Sequence, residues 1–278
     1  MPRDIIAINT THYQGSNRYT LKLPHAIKLE NAKLSLYSFS MYNSTYNISQ
    51  DLGNNLITFQ WFDGTIYNWT IPDGYYSVDD ANSWLIGKFI ENNLYVENST
   101  KTQNTYFVRF QTNSVLYKNQ IDVFYVPSQT EATTLGYLRP SGATWNFPNQ
   151  RQMVQLTIND NLKKYFGMKT RTLFGNETIV TNYSYLSEIA PVISPVFSIY
   201  LSCNLVVSSY NNVANVFAQF PINVSYGSLI QYNSVQDARI DIRSGIYNEI
   251  SVQLWDQNYK PLQFSDTEFT LFLIIETP

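Results

Sequence analysis

The amino-acid sequence is dominated by short segments in which apolar and polar side chains alternate. The clearest is FSIYLSCNL, residues 197–205, where every second residue from Phe197 to Leu205 is apolar. A period of two places successive side chains on opposite faces of a strand, so this pattern predicts a β-strand with one buried face. The single cysteine, Cys203, falls on that face and is predicted to be a core residue rather than a reactive thiol.

Turn residues separate further segments of this kind. Residues 54–71, NNLITFQWFDGTIYNWTI, predict two strands joined by a two-residue turn at Asp63 and Gly64. Residues 249–275, EISVQLWDQNYKPLQFSDTEFTLFLII, predict a strand, a turn and a closing strand. Phe272 and Ile274 add apolar groups to the second face of the closing strand, which is therefore expected to be covered on both sides.

One segment has the signals of a helix. In IPDGYYSVDDANSWL, residues 71–85, Ser77 is followed three residues later by Asp80, which predicts a short capping box. The helix is expected to run from about residue 78 to 93, with a 3.6-residue stripe of Val78, Ala81, Leu85 and Phe89. Asp79 and Asp80 then lie in its first turn and Asp73 in a Pro-Asp-Gly turn, so we do not read the three carboxylates as a calcium site. A second short helix is predicted within residues 159–167.

The fold class that follows is all-β with one main helix. Many short strands at irregular spacing favour a jelly-roll sandwich over an up-and-down barrel. Eight strands with ordinary loops need only about 170 residues. The remaining residues of the 278 predict long loops or an inserted subdomain, placed at about Tyr95 to Leu186. We expect one domain over residues 1–278, with Met1–Asn17 forming an extended N-terminal arm.

The chain carries few charges. Asp, Glu, Lys and Arg make up 14% of it, where soluble domains average about 25%, and the net charge is −3. No run of Lys or Arg is present, so contact with nucleic acid is not expected. The 22 tyrosines leave two interpretations open. One is a neutral, aromatic exterior that contacts other proteins, and the other is compositional drift.

The groups that carry chemistry are sparse. The two histidines, His12 and His25, lie in no recognisable catalytic pattern, and no P-loop, dinucleotide or HExxH motif occurs. We therefore assign no catalytic, cofactor-binding or metal-binding residue and expect no enzyme activity. The N-terminus shows no apolar signal segment, which predicts a reducing compartment. The longest apolar run, LFLII, is too short for a membrane helix, so no membrane insertion is expected.

The order of segments along the chain resembles a known family. LSLYSFSMYNSTYNIS is followed by FDGTIYNWTIPDGYYSVDDANSWL, LKKYFGM, SIYLSCNLV, FPINVSYGSLIQY and the C-terminal segment above. This succession, spanning about Tyr19 to Ile275, resembles the penton (minor capsid) proteins of virophages of the mavirus and Sputnik kind and of related Polinton-type elements. The resemblance implies a jelly roll that forms homopentamers at the five-fold vertices of an icosahedral capsid. It also implies contact with the major capsid protein and a place in the virion after assembly in the host cytoplasm.

Two alternatives stay open at this stage. A carbohydrate-binding, lectin-like β-sandwich would present exposed aromatic residues, with Trp61, Trp69 and Trp145 as candidates for stacking on sugars. The chain could also be a fragment of a major-capsid-type protein, although 278 residues are few for the two jelly rolls of that class.

Overall fold

The computed structural model describes residues 3–206, 215–234 and 238–278. The chain divides into two compact units. Met1–Tyr46 and Ser194–Pro278 form the first, here the sandwich unit, and Asn47–Ile193 form the second, here the inserted unit. The inserted unit begins at Asn47, well before the boundary near Tyr95 that the sequence predicts. Each unit has a hydrophobic core of its own, whereas the sequence predicts one domain.

The described strands and helices are numbered in chain order. The first part of the sandwich unit contains β1 (Arg3–Asn9), a 3-10 turn (Thr10–His12), β2 (Arg18–Leu29) and β3 (Lys33–Tyr42). The inserted unit contains β4 (Leu56–Gln60), β5 (Ile66–Thr70), α1 (Val78–Glu91), β6 (Val96–Glu97), β7 (Asn104–Thr105), β8 (Val108–Asn113), β9 (Lys118–Val123), β10 (Tyr125–Val126), α2 (Gln129–Leu135), β11 (Gln152–Met153), β12 (Gln155–Ile158), α3 (Leu162–Phe166), β13 (Leu173–Phe174) and β14 (Tyr183–Leu186). The second part of the sandwich unit contains β15 (Ser198–Cys203), β16 (Val216–Pro221), β17 (Leu229–Asn233), β18 (Ile240–Asp241), β19 (Gly245–Asp256) and β20 (Phe269–Glu276).

The sandwich unit consists of two antiparallel sheets. The first sheet has the strand order β1-β20-β3-β17, with β18 also pairing with β3. The second sheet has the order β16-β15-β19-β2. With β18 set aside, the eight remaining strands follow the order of a jelly roll, in which the first strand lies beside the last and the second beside the seventh. The predicted all-β, jelly-roll class is therefore confirmed.

The alternating segments place the core of this unit as the sequence predicts. In β15, Ile199, Leu201 and Cys203 are buried in the core, and Phe39 of β3 stacks on Phe220 of β16 at 4.5 Å between ring centroids. Burial raises the pKa of the Cys203 thiol to about 12. Phe197 is exposed, against the pattern, because β15 begins only at the following residue.

The N-terminal segment is not a free arm. Between Arg3 and Asn9 it pairs antiparallel with β20, from Arg3 opposite Glu276 to Asn9 opposite Thr270. Ile8 is fully buried in the core of the sandwich unit. The arm predicted over residues 1–17 is thus corrected to the edge strand β1, the 3-10 turn and the loop after it; Met1 and Pro2 lie outside the described residues.

The inserted unit has its own core. Its larger sheets have the strand orders β13-β12-β4-β5 and β14-β9-β8, and α1 lies against β8. The ring of Phe59 stacks on Trp69 at 5.4 Å and meets Phe89 of α1 edge-on at 5.0 Å. Because β4, β5 and α1 all contribute to this core, the unit includes residues that a boundary near Tyr95 would exclude.

The predicted main helix is confirmed, with small differences. α1 begins at Val78 and ends at Glu91, two residues before the expected end, and Asn93 has a φ of 55°, outside the helical region. α3 lies within the segment predicted as the second helix. α2 was not expected, although Ser128 and Glu131 form a capping box like that of Ser77 and Asp80. No helix in the described part of the chain is long and apolar enough to cross a membrane.

Candidate functional site

The side of the first sheet that faces away from the core carries mostly uncharged side chains. On β3, Phe39 and Met41 are buried in the core, so Ser38 and Ser40 lie on the opposite side. Their cross-strand neighbours on this side of the sheet are Ala7, Asn9, Gln231, Asn233, Thr270 and Phe272. We call this surface the first neutral face.

Charge in this sheet is concentrated at one end. Glu276, the last residue of β20, is only 4% exposed and forms ion pairs with Arg3 Nε at 2.7 Å and with Arg239 Nε at 3.1 Å. Nearby, Lys33 pairs with Asp241 at 3.9 Å. A buried carboxylate is stable only when it is paired. The charges named at this end are therefore all in ion pairs, and the centre of the face carries none.

The outward side of the second sheet is similarly uncharged across β15, β16 and the centre of β19. Hydroxyl, amide and aromatic side chains occupy it: Ser198, Tyr200, Ser202, Gln219, Ser251, Gln253 and Trp255. Several of them are hydrogen-bonded across strands, with Trp255 Nε1 donating to Ser202 Oγ at 2.8 Å and Gln219 Nε2 to Ser198 Oγ at 3.0 Å. We call this surface the second neutral face. Charge borders it on the side of the edge strand β2, where Arg18 Nε donates to Ser251 Oγ at 2.8 Å and Lys22 lies opposite Glu249.

Apolar groups are exposed at two further places. Tyr42 and Leu229 are paired across β3 and β17 and are 37% and 43% exposed. In the inserted unit, the hairpin between β8 and β9 presents Val115, Leu116 and Tyr117 at 91%, 54% and 74% exposure. Single exposed apolar residues are ordinary, but three in a row at a hairpin tip form a patch suited to contact with another surface.

The tryptophans proposed for sugar stacking are not available. Trp61, Trp69 and Trp145 are 1%, 7% and 5% exposed, and all three pack in the core of the inserted unit. Trp145 Nε1 also donates a hydrogen bond to the backbone oxygen of Asn93 at 2.7 Å. This choice of residues was wrong because burial depends on tertiary packing: Trp69 lies on the inner side of β5, and Trp61 and Trp145, outside the strands, pack edge-on against each other at 5.2 Å.

Of the residues considered for chemistry, three have structural roles, and His25 lies exposed on β2. His12 Nδ1 accepts a hydrogen bond from the backbone of Asn9 at 3.1 Å and closes the 3-10 turn. Asp80 Oδ2 accepts from Ser77 Oγ at 2.6 Å and from Ser77 N at 3.0 Å, and these hydrogen bonds hold the pKa of Asp80 below its usual range. Asp73 Oδ1 accepts from the backbone of Gln50 at 2.8 Å. Within residues 3–206, 215–234 and 238–278, no three His, Cys, Asp or Glu side chains gather closely enough to hold a metal ion.

The sequence did not reveal the two neutral faces. Each is assembled from strands far apart in the chain, so its composition becomes visible only when the pairing of β3 with β20, and of β15 with β19, is known. The low overall charge was the signal available, and it favoured a contact surface without locating one.

Comparisons with known proteins give two likenesses to virophage proteins. The chain is similar to the mavirus penton protein, with 11% sequence identity and a TM-score of 0.44 over 100% of this chain and 99% of that one. It is also similar to a chain of the Sputnik virophage structure, with 13% identity and a TM-score of 0.36 over 98% and 97% of the two chains. No family model and no curated protein matches the chain.

Proposed function

We propose that this chain is a structural capsid protein, the penton subunit that forms homopentamers at the five-fold vertices of an icosahedral virion. The observation that carries the proposal is the jelly-roll unit with an uncharged centre on the outward side of both of its sheets. A β-sandwich that stays alone in water has no need to keep charge away from both outer faces, whereas the core of a protein interface is depleted in charge.

Two such faces fit the geometry of a closed ring. In a five-fold ring each subunit contacts its two neighbours through two different surfaces. The first neutral face, with Ser40 and Gln231, and the second, with Gln219 and Gln253, lie on opposite sheets of one unit. The paired Tyr42 and Leu229 add exposed apolar area beside the first. Exposed surface that remains outside the ring would meet the major capsid protein.

In this proposal the chain is a binding and building element rather than an enzyme. The pI of about 5.4 and the net charge of −3 do not favour binding to the nucleic acid inside a capsid. Carboxylates considered for chemistry cap helices or turns, as Asp80 and Asp73 do. The protein would then reside in the virion after assembly in the host cytoplasm.

The test is assembly of the purified full chain, alone and mixed with the major capsid protein of the same virus. Mass measurement in solution and electron microscopy should show five-fold rings, or incorporation at the vertices of shells. A strictly monomeric chain that also stays outside those shells would overturn the proposal.

Charge substitutions on the neutral faces make the test specific. Gln231→Lys and Gln219→Lys each place a charge on one face at an exposed position. If a face is buried between subunits, its lysine variant should weaken assembly while the thermal unfolding midpoint stays near that of the parent chain. Asn223→Lys, on an exposed loop of the same unit, is the matched control. Assembly that survives both face variants would contradict the assignment of these faces.

A further inference from the structure

The inserted unit contains a cleft of about 420 Å³ that none of the roles above uses. Its walls come from α1, from the segment that leads into β8, and from the residues around β10. The volume lies within the range of about 300–1,000 Å³ that is typical of small-molecule sites. Its lining includes aromatic rings, side-chain amides and one guanidinium, together with aliphatic side chains such as Ile86 and Leu135.

Five aromatic side chains line the cleft: Phe107 is buried, and Tyr106, Phe124, Tyr125 and Tyr137 are partly exposed. Three of the exposed rings are supported by a neighbouring group, which for Phe124 is the guanidinium of Arg109, 5.7 Å from the ring centroid. Tyr106 stacks on Phe89 at 6.1 Å. The guanidinium of Arg151, which does not line the cleft, lies 4.5 Å from the centroid of the Tyr125 ring and is held by Glu131, with Nε 2.6 Å from Oε1. Rings supported in this way are already ordered before a ligand arrives, which lowers the entropic cost of binding.

Two amides are oriented by the backbone. Asn82 Oδ1 accepts a hydrogen bond from Phe110 N at 2.8 Å, and Asn182 Oδ1 accepts from Tyr125 N at 3.3 Å. Because the oxygen of each amide is engaged, its Nδ2 group remains as a donor. Neither Nδ2 donates a hydrogen bond to any residue that the structure describes. Each is therefore ready to donate to an acceptor on a ligand.

The cleft is electrically close to neutral. Arg109 is the one charged residue among the described residues that line it. Its Nη2 lies 2.7 Å from Oδ2 of Asp122, a carboxylate that is 1% exposed, so the positive charge of Arg109 is compensated by a buried negative charge. No carboxylate lines the cleft among those residues, which leaves nothing to act as the acid and base pair of a glycoside hydrolase.

From these features we propose that the cleft binds a neutral carbohydrate, a hexose or a short uncharged oligosaccharide, without cleaving it. The apolar C–H face of a pyranose ring matches a supported aromatic face such as that of Tyr125, and its hydroxyl groups accept from the donors of Asn82 and Asn182. An anionic sugar would gain little here because Arg109 is already paired. This site is independent of assembly: a failure to bind sugar leaves the proposal of a penton subunit untouched, and the reverse holds as well.

The experiment uses the purified full chain and a panel of free saccharides. The panel contains mono-, di- and trisaccharides of glucose, galactose, mannose and N-acetylglucosamine, together with sialylated and uronic-acid sugars. Saturation-transfer NMR identifies those that bind, and calorimetry measures their affinity. At least one neutral saccharide should bind, and more tightly than its acidic counterparts. No binding at millimolar concentration, or a preference for acidic sugars, would overturn the proposal.

Two variants locate the binding. Asn82→Asp keeps an oxygen for the backbone of Phe110 but removes the Nδ2 donor, and Tyr125→Leu keeps apolar bulk but removes the ring. Each should lower the affinity at least about tenfold, the loss of one good hydrogen bond or stacking contact. Tyr117→Leu, at the exposed hairpin tip of the same unit, is the control and should leave the affinity unchanged. Full affinity in both cleft variants would show that the sugar binds elsewhere and would overturn the assignment.

Discussion

Asn47 Nδ2 donates a hydrogen bond to the backbone oxygen of Ile193 at 2.9 Å and so joins the first and last residues of the inserted unit. The same amide is also bonded to Tyr76, with Nδ2 donating to its oxygen at 2.8 Å and Oδ1 accepting from its nitrogen at 2.8 Å. The side chain is 2% exposed. One buried asparagine therefore connects the two ends of the inserted unit with each other and with the segment before α1.

Replacing this asparagine should loosen the inserted unit. Asn47→Ala leaves the part-buried backbone nitrogen of Tyr76 and the backbone oxygen of Ile193 without these partners, and each unsatisfied group costs about 1–3 kcal/mol. The backbone oxygen of Tyr76 still accepts from Tyr165 Oη at 3.0 Å. We expect the free energy of unfolding to fall by about 2–4 kcal/mol. Urea unfolding followed by tryptophan fluorescence measures it, since four of the five tryptophans lie in this unit.

The control for that variant is Asn149→Ala, which changes an exposed asparagine of the same unit. It should alter the free energy of unfolding by less than about 0.5 kcal/mol. Equal effects of the two substitutions would mean that the Asn47 hydrogen bonds do not stabilise the unit.

Two glycines of the inserted unit should respond differently to alanine. Gly64, in the predicted hairpin turn, has a φ of +91° and open space around the position of a Cβ. Gly175 has a φ of +82°, and a Cβ there would lie 2.1 Å from the backbone oxygen of Val154. Both alanines incur the cost of a left-handed backbone, about 1–2 kcal/mol. Gly175→Ala must also displace the backbone of Val154, which lies between β11 and β12, and should cost more than about 3 kcal/mol.

Thermal or urea unfolding of the two variants decides this comparison. Gly64→Ala serves as the control for backbone conformation alone. A loss at Gly175 no larger than at Gly64 would be inconsistent with the close approach of Gly175 to Val154.

The sequence predicted the features of this fold that depend on residues close together in the chain. The alternation around Cys203 and the Ser77–Asp80 cap each depend on residues close in sequence, and each is found. A hairpin turn is found at Gly64, but it is longer than the predicted two residues, because Trp61 N donates to Thr65 O and the residues between them form the turn. β1 was missed because its partner, β20, lies at the other end of the chain. Likewise, the cleft unites Asn82, Tyr125 and Asn182, which only the packing of the inserted unit brings together.

The thiol of Cys203 should be inert in the folded chain. It is 2% exposed, and burial raises its pKa to about 12, so almost no thiolate forms at mildly alkaline pH. Reaction with Ellman's reagent should be at least about a hundredfold slower in buffer than in concentrated guanidinium. The denatured chain is the control, and similar rates in both conditions would contradict the burial of β15.

The contact between Glu131 and Arg151 should make the start of α2 sensitive to acid. Hydrogen bonds, first from Arg151 and then from the backbone of Ser128, lower the pKa of Glu131 to about 2 from its ordinary value of 4.5. A carboxylate whose pKa is lower in the folded chain than in the unfolded chain stabilises the folded chain. This contribution is fully present at pH values above the pKa of the unfolded chain. This contribution is lost as the pH falls from about 4.5 toward 2.

Glu131→Gln removes this contribution. The urea midpoint of the variant should lie below that of the parent at neutral pH, and the difference should shrink as the pH falls from about 4.5 toward 2. Arg151→Gln is the companion variant: because Arg151 is the largest cause of the lowered pKa, its loss should produce the same convergence, and the double variant should add little to either single change. If the difference in urea midpoint between the parent and Glu131→Gln stays constant at low pH, the ion pair does not make the stability of α2 depend on pH.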